Sequence, residues 1–463
     1  MDAKEILRNT RSYSDHYANL IRTLLDSREI AEAGPARMER HPIEPFIVEL
    51  KYTQSPWPVI IGPSMVDEFR FISATFVPLF YRAMTGFFGK DADAFHEYIG
   101  WPREIYRFLL SSPLDPEDFI VRYDGLFSRG EFKIVELNVG STCGGWYTDF
   151  LQEVYRDCMA TAQLPLEQIR FRPVLKERFL HILRRIAKLQ KPRLTGNLLY
   201  IMDPMRTQDN FMSCFQRLYD TVRPAELTEG RLFWTNDTAA VEYRTGGEIY
   251  FEGHSIDGVF IKKPIPELPD DLLGRLAIAQ ARKKILLPDT PGHVVFGSKI
   301  LLALLHEWRA SGKASAADAE LIERYFPWTV RLVEQNVRWK DQAMPLRRLL
   351  REYKDEFVLK LSNSAQGRAV FIGRYHTDQQ WQDLVDEKMA ERHWLVQQYC
   401  APDKLAMCDE HSNLSIGDHV WGIAANGSHY GGSFVRGITG NAVDGVVNSA
   451  RGAFLSIVVE AVQ

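Results

Sequence analysis

Polar and apolar residues alternate along two neighbouring segments near residue 120. FIVRYDGLF and EFKIVELN both show the period of two that is typical of a half-buried strand, and the intervening SRGE is a turn signal, so they predict a β-hairpin. Residues two apart share one face of a strand. Arg122 and Asp124 therefore point the same way, and so do Glu136 and Asn138. The pattern predicts a patch of two carboxylates, one amide and one guanidinium.

Helical and strand-like patterns follow one another along the rest of the chain. Residues 1–115 show mainly helical spacing, with breaks at proline-rich points such as HPIEPF and QSPWPVIIGPS. After a composition shift near residue 193, NLLYIMD, DNFMSCFQRLYDTV and IDGVFIKK predict a strand, a helix and a strand, which is typical of a small α/β unit over residues 194–285. Residues 286–463 mix helices with many strands. We therefore expect an α+β fold and not a single parallel sheet.

Length and charge narrow the class of protein. A chain of 463 residues suggests two or three domains. The net charge of -4 includes no basic excess that would neutralise phosphates, so we expect no broad binding to nucleic acid. No apolar run approaches the length that spans a bilayer, and the polar start MDAKEILRNTRSYSDHY lacks the apolar core of a secretory signal. We expect a soluble, cytoplasmic protein with no membrane partner.

The cysteines favour reduced thiols over a disulfide framework or a zinc site. There are five, an odd number, they are scattered, and no CxxC pair occurs. Cys143, in a glycine-flanked loop after the second strand of the predicted hairpin, is either a reactive thiol or a small space-filling residue, and we favour the second interpretation.

The predicted hairpin has the ligand types of a magnesium site. Mg²⁺ usually takes one or two carboxylates together with phosphate oxygens and water. Asp124, Glu136 and Asn138 supply such oxygens, and Arg122 is suited to clamp a phosphate. This set is expected for Mg²⁺ bound to a nucleoside triphosphate. The alternative is an exposed strand face on which Arg122 and Asp124 form an ion pair.

A second segment, FVLKLSNSAQGRAVFIG, is typical of a phosphate-binding loop. Lys360 ends an apolar strand, and Ser362, Asn363, Ser364 and Gly367 follow in a small polar loop whose backbone N–H groups suit phosphates. An ordinary hairpin with a solvated lysine is the alternative. A third segment, HWLVQQYC, is a strand with a polar end, suited to an adenine-reading hinge or simply to a place in a sheet.

The order of these segments resembles the ATP-grasp superfamily. Its members carry an R-x-D strand followed by an E-x-N strand, matched here by Arg122-Tyr123-Asp124 and Glu136-Leu137-Asn138. In the usual order this pair closes the domain, after the phosphate-binding lysines. Here it precedes Lys299 and Lys360, so the chain is similar to the circularly permuted group that includes relatives of glutathionylspermidine synthetase.

The resemblance implies a role for each candidate residue and a bound ATP with Mg²⁺. Asp124, Glu136 and Asn138 would hold the metal. Arg122 would be catalytic and stabilise charge on the transferring phosphoryl group, and Arg436 would bind phosphate or carboxylate, although a surface ion pair is as good an interpretation of Arg436. The nucleotide would contact the phosphate lysines, the loop, the adenine hinge and the closing segment VVNSARGA, that is Lys299, Lys360, Ser362, Asn363, Ser364, Gly367, Gln397, Gln398, Tyr399 and Asn448.

The resemblance, which covers roughly residues 115–455, and the helical pattern of residues 1–115 together imply a division of the chain. Residues 1–115 would form a mainly helical N-terminal region, and residues 116–193 the metal-binding hairpin and helices of the permuted ATP-grasp core. Residues 194–285 would be a small Rossmann-like α/β domain, and residues 286–463 the nucleotide-binding part of the core. The sequence departs from the family pattern in LKL, which has no proline after Lys360, and in a loop with a single glycine.

The expected activity is that of an ATP-dependent carboxylate–amine ligase. Such an enzyme forms an amide or peptide bond through an acyl phosphate and releases ADP and phosphate. Its partners would be a small-molecule or peptide carboxylate and an amine, and a homodimer is an expected assembly because many relatives dimerise. Two alternatives remain: an ATP-grasp protein that phosphorylates a small molecule without forming an amide, and a non-catalytic nucleotide-binding protein.

Overall fold

The computed structural model describes residues 6–7, 10, 12–227, 229–364, 369–438, 444–449 and 452–462. The α-helices in these ranges are α1 (Asp15–Asp26), α2 (Arg28–Arg40), α3 (Pro45–Glu49), α4 (Pro63–Phe88), α5 (Ala92–Ile99), α6 (Arg103–Ser111), α7 (Gln152–Thr161), α8 (Val174–Ile186), α9 (Gln208–Asp220), α10 (Asp270–Ala281), α11 (Pro291–Val294), α12 (Ile300–Ala310), α13 (Ala316–Tyr325), α14 (Leu346–Glu352) and α15 (Asp378–Ala390).

The strands of the same ranges are β1 (Val59–Ile61), β2 (Ile120–Ser128), β3 (Glu131–Val139), β4 (Ile169–Phe171), β5 (Leu198–Ile201), β6 (Leu232–Thr235), β7 (Glu242–Tyr243), β8 (Ile249–Phe251), β9 (His254–Ile256), β10 (Gly258–Ile261), β11 (Thr329–Arg331), β12 (Asn336–Trp339), β13 (Gln342–Pro345), β14 (Phe357–Leu361), β15 (Val370–Ile372), β16 (Trp394–Gln398), β17 (Leu405–Cys408), β18 (Leu414–Gly417), β19 (His419–Asn426), β20 (His429–Gly437) and β21 (Phe454–Ala461). Helices and sheets of this number and mixture confirm the α+β class.

The largest sheet contains the predicted hairpin. Its order is β1–β21–β20–β19–β2–β3, with β4 paired to the end of β21; β1 and β21 are parallel and the other pairs are antiparallel. The β2–β3 register places Arg122 opposite Asn138 and Asp124 opposite Glu136. A register shift follows at Asp124/Gly125. The hairpin and the side-by-side arrangement of its polar residues are therefore confirmed.

The long helix α4 corrects the expectation about apolar runs. It has 26 residues, and its length and composition are sufficient to cross a membrane. Half of its most apolar stretch is nevertheless buried inside the protein, where Phe69 packs on Trp421 of β19 and Phe76 on Tyr325 of α13. Four charged residues break the apolar pattern along this helix, so no uninterrupted run is visible in the sequence.

The segment after residue 193 forms the predicted strand–helix–strand unit. Strands β10, β5 and β6 make a parallel sheet in that order, and α9 connects β5 to β6. One face of this sheet has its own apolar core with α10, which includes Leu199, Val259 and Leu276. The other face, with Leu198 and Tyr200, joins the core of the largest sheet. The short antiparallel strands β7–β9 are an addition that the sequence pattern did not indicate.

A separate antiparallel sheet carries the second predicted lysine. Its order is β11–β16–β14–β15, and it packs over a core that includes Trp339, Phe357 and Trp381. Lys360 lies near the end of β14. Its Nζ reaches the backbone oxygen of Val135 in β3 at 3.2 Å, so this sheet meets the hairpin edge of the largest sheet at the lysine.

Candidate active site

The hairpin carboxylate Asp124 is held by two arginines. Nε and Nη2 of Arg122 donate to its two oxygens at 2.6 and 2.8 Å, and Nη2 of Arg436 in β20 donates at 3.1 Å. The side chains of Arg122 and Asp124 are only 16% and 8% exposed, so this is not the surface ion pair of the alternative interpretation. Burial alone would raise the pKa of Asp124, but the two guanidinium groups hold it below its ordinary value.

The second hairpin carboxylate, Glu136, pairs with Lys299. The Nζ of Lys299 lies 3.0 Å from Oε1 of Glu136 and also donates to the backbone oxygen of Ser364 at 2.5 Å. Lys299 directly precedes α12, and its N–H donates to the backbone oxygen of Ser362. The hydroxyl of Ser298 donates to Oδ1 of Asn363 at 3.2 Å. These bonds fasten the described part of the polar loop to the start of α12.

The side chain of Lys360 in β14 is buried and bonded to the strand beside it. Lys360 donates from Nζ to Oε1 of Gln397 at 2.6 Å, and Nε2 of Gln397 donates to the hydroxyl of Thr329. Burial lowers the pKa of Lys360 to about 8, with the nearby charge of Glu136 acting in the opposite direction. An anion that bound beside the Lys360 ammonium group would take the place of the neutral Gln397 amide as its hydrogen-bond partner.

A cavity of about 140 Å³ lies between the two sheets and collects most of the predicted residues. Its apolar lining comes from both sheets and includes Leu126, Val358 and Val420. Its polar lining consists of Asp124, Glu136, Lys360, Gln397, Gln398, Tyr399, Arg436 and Asn448. An apolar lining with a few convergent polar groups is typical of a small-molecule binding site.

A second, larger cavity of about 1130 Å³ adjoins the first at Glu136, which lines both. Asn138 and Lys299 line this larger cavity, together with Ser362, Asn363 and Ser364. All the predicted residues that the structure describes, except Arg122, thus line one or both of two adjoining cavities. Arg122 lines neither and reaches the site through its bond to Asp124. Gly367 lies outside the described residues.

The hairpin residues fit a magnesium ion by chemistry and by orientation. Asp124 and Glu136 are directly opposed across the strands, and Asn138 lies one alternate position further along. The Nδ2 atom of Asn138 is buried and has no hydrogen-bond partner among the described residues, so its amide is not committed to another role. Carboxylate and amide oxygens are the ligands that Mg²⁺ prefers.

Asp289 shapes the site, but the sequence analysis did not identify it. Asp289 is buried and accepts hydrogen bonds from the backbone of Ser141 at 2.6 Å and of Ile261 at 2.8 Å, which ties the loop after β3 to the end of β10. Burial raises its pKa to about 6. A Cβ at Gly140, where φ is +98°, would overlap Oδ1 of Asp289. The sequence PDTPG around Asp289 is typical of an ordinary helix start, which hides this role.

Cys143 lies in the same loop. Its thiol is buried and donates to the backbone oxygen of Asn138 at 3.2 Å. Burial raises the pKa of this thiol to about 11, although Arg122 and Arg178 act in the opposite direction. A protonated, buried thiol of this kind is a weak nucleophile, in agreement with the space-filling interpretation.

Comparisons with known proteins support the fold. No protein-family model and no curated protein matches the chain. Among solved structures, a glutathione synthetase-like effector from Globodera pallida, in its apo form, matches with a TM-score of 0.59 and 10% sequence identity. The match covers 89% of this chain and 90% of the effector. At this identity the similarity concerns the fold alone.

Proposed function

We propose that the chain is an ATP-grasp protein in circularly permuted order and acts as an ATP-dependent carboxylate–amine ligase. The observation that carries the proposal is the 140 Å³ cavity, where Lys360 from one antiparallel sheet meets Asp124 and Glu136 from another. Two sheets that enclose a nucleotide are the defining arrangement of the family that the sequence resembles. The similarity to the glutathione synthetase-like effector supports the fold part of the proposal.

The order of the elements supports the permutation. The hairpin β2–β3 comes first in the chain, the lysine strand β14 and its neighbour β16 come more than two hundred residues later, and β19–β21 then return to pair beside the hairpin. The proposed metal ligands and phosphate lysines therefore lie on segments that are distant in sequence. Their meeting in two adjoining cavities is a property of the fold and not of local geometry.

The balance of charge in the site favours a polyanion. Four cationic side chains, those of Arg122, Arg436, Lys299 and Lys360, face two carboxylates, those of Asp124 and Glu136. Two positive charges are thus uncompensated. MgATP, with a net charge of about −2, would balance them. The arginines and lysines would exchange carboxylate partners for phosphates, and the carboxylates would be released to the metal.

The chain's own residues would act by position and charge. Asp124, Glu136 and Asn138 would hold Mg²⁺, which supplies charge neutralisation for phosphoryl transfer. Lys299 and Lys360 would hold the phosphates, and Gln397, Gln398 and Tyr399 would contact the adenine. Arg122 and Arg436 would stabilise the phosphoryl group as it passes to the substrate carboxylate, giving an acyl phosphate and ADP. The amine then displaces phosphate and forms the amide.

The proposal is tested by ADP release from purified protein with MgATP and a matrix of acids and amines. The Glu136→Gln variant serves as the blank. ADP that appears only when acid and amine are both present, with a product lighter by one water than their sum, supports the ligase. ADP and a phosphorylated product with one substrate alone would replace it by the kinase-like alternative. The absence of ATP binding would refute both.

A further inference from the structure

Lys262 is a half-buried cation without an anionic hydrogen-bond or ion-pair partner among the described residues. It directly follows β10, and its N–H donates to the backbone oxygen of Ile201 at the end of β5. Lys262 therefore lies at the carboxyl edge of the parallel sheet, which is where such sheets bind their ligands. Among the described residues, no oxygen atom is a hydrogen-bond or ion-pair partner of its Nζ. The next residue differs, because Nζ of Lys263 lies 2.9 Å from Oδ1 of Asp203.

Aromatic rings surround the ammonium group of Lys262 instead. Its Nζ lies 4.9 Å from the ring centroid of Trp146, 5.3 Å from that of Phe211, 5.6 Å from that of Phe215 and 5.8 Å from that of Tyr200. Such contacts compensate only part of the cost of desolvating a charge. Burial lowers the pKa of Lys262 to about 7, the charge of Arg178 lowers it further, and Asp289 acts in the opposite direction.

The charged groups near Lys262 leave it without a direct carboxylate partner. Arg178 of α8 is buried, its Nε has no partner among the described residues, and its charge is opposed by Asp149 and Asp289. Asp149 accepts hydrogen bonds from the backbone of α8, Asp289 accepts from Ser141 and Ile261, and Asp203 is paired with Lys263. The ammonium group of Lys262 is therefore left for a ligand to pair with. A cationic ligand would be repelled, whereas a carboxylate would gain a charge-assisted hydrogen bond.

Lys262 opens into a cavity of about 310 Å³ beside the proposed active site. Tyr52, Trp146 and Tyr147 give this cavity aromatic walls. Gly144 lines it as well, and a Cβ at Gly144 would lie 3.3 Å from Nη1 of Arg122. Thr142 lines both this cavity and the larger one that holds Asn138. A molecule in this cavity can therefore extend from Lys262 toward Arg122.

We propose that the acid substrate is a dicarboxylate with an apolar body, and that Lys262 binds the carboxylate that does not react. The assignment of this molecule as the acid substrate rests on the proposed function. The binding site itself rests on the unpaired ammonium group of Lys262 and on the aromatic cavity into which it opens. The reacting carboxylate would lie on the Arg122 side of the cavity, and the second carboxylate would set the specificity.

Calorimetry with phenylsuccinate, in the absence of nucleotide, tests the proposal. Phenylsuccinate has two carboxylates and an aromatic body, and its monoamides have the same shape with one charge fewer. We expect wild-type protein to bind phenylsuccinate at least about tenfold more tightly than the monoamides, as one charged hydrogen bond predicts. Lys262→Met should lose this preference and Lys262→Arg should keep it. Lys313→Met is the matched control, because Lys313 also lies over an aromatic ring but is exposed.

Proton uptake separates a direct role of Lys262 from a structural one. An anion favours the charged ammonium, so binding at pH 8 should take up close to about one proton per phenylsuccinate, and at pH 6 almost none. Asp203 lines the same cavity, and the charges of Arg178 and Asp289 act on Lys262. All three groups remain in the Lys262→Met variant, which should show no uptake. Absence of binding, equal affinity for the monoamides, or uptake that persists in Lys262→Met would overturn the proposal.

The two proposals fail in different ways. If phenylsuccinate binds through Lys262 but no acid–amine pair releases ADP, the anion site stands and the ligase proposal falls. If monocarboxylic acids support ADP release equally well in wild-type protein and in Lys262→Met, the ligase stands and the role of Lys262 falls. Melting curves of the variants show whether each is folded.

Discussion

In the proposed site each charged side chain has a partner that MgATP would replace. Asp124 is bonded to Arg122 and Arg436, and Glu136 is bonded to Lys299. These pairs compensate the two carboxylates while no ligand is bound, since an unpaired buried charge costs several kcal/mol. The same residues can therefore stabilise the empty site and, after exchange of partners, the nucleotide complex.

The two carboxylates can be tested by neutral isosteres. Asp124→Asn and Glu136→Gln should each lower kcat for ADP release by at least about 100-fold, because each removes a carboxylate that we propose binds the metal. Glu131→Gln is the matched control, since Glu131 is an exposed acid on the same strand, and it should keep normal turnover. Near-normal turnover in both site variants would contradict the metal assignment.

The lowered pKa of Lys360 predicts a pH dependence of ATP affinity. Bound phosphates favour the charged form of the Lys360 ammonium group. The affinity for ATP is therefore highest below the pKa of Lys360 in the free protein, about 8, and it falls as the pH rises through that value. The Kd for MgATP should rise by up to about tenfold per pH unit above pH 8. Titrations of wild-type protein and Lys360→Met between pH 7 and 9.5 check this prediction. If log Kd for MgATP rose with pH equally steeply in Lys360→Met, another group would be responsible for the pH dependence.

Among individual residues, the sequence predicts those whose spacing along a strand or helix indicates that they lie together. The period of two in a strand is sufficient to place Asp124 and Glu136 on one patch. Lys262 and Asp289 have no such local signal. The aromatic rings around Lys262 come from distant segments of the chain, and Asp289 is recognised only by its hydrogen bonds to the loop after β3. Only the tertiary structure brings these groups together.

At the scale of elements, the loop after β3 determines where the site and the Lys262 cavity meet. Gly140 begins this loop with φ of +98°, and Asp289 fills the space that a side chain at Gly140 would need. The N–H of Gly140 donates to the backbone oxygen of Ile120 at 2.8 Å. The loop is therefore held by strand β2 on one side and by Asp289 on the other.

Substitution of Gly140 should disturb this junction. Gly140→Ala is expected to lower the free energy of unfolding by about 1–3 kcal/mol, because it combines a positive φ with a clash against Asp289. Gly130→Ala is the matched control: it lies in the turn of the same hairpin with φ of +79°, and a Cβ there meets no atom within 4 Å. Urea unfolding compares the two. An equal loss of stability in both variants would show that the contact with Asp289 contributes nothing.

Elements with strong periodicity were predictable, and elements defined by a distant partner were not. The helices α8, α9 and α15 and the strands β5, β10, β14 and β16 follow their sequence patterns. Strand β1 has three residues in a proline-rich stretch of a helical region, and it exists because it pairs with β21 near the other end of the chain. Four charged residues interrupt the apolar pattern of α4 in the sequence and conceal its length.

At the scale of the whole molecule, three apolar cores organise the chain. One lies under the largest sheet and extends into the N-terminal helices, one lies under a face of the parallel sheet, and one lies under the sheet of Lys360. The proposed nucleotide cavity lies between the first and the third. Spacing in the sequence cannot predict that residue 124 lies near residue 360. The permuted order of the family that the sequence resembles does predict it.

Calorimetric titration of ATP, with and without Mg²⁺, is the most direct test because it requires no knowledge of the acid or the amine. We predict that wild-type protein and Glu131→Gln bind ATP at least about tenfold more tightly when Mg²⁺ is present, and that Glu136→Gln loses most of this difference. ATP binding that is indifferent to Mg²⁺, or no ATP binding at all, would contradict the assignment of this cavity to a metal–nucleotide complex.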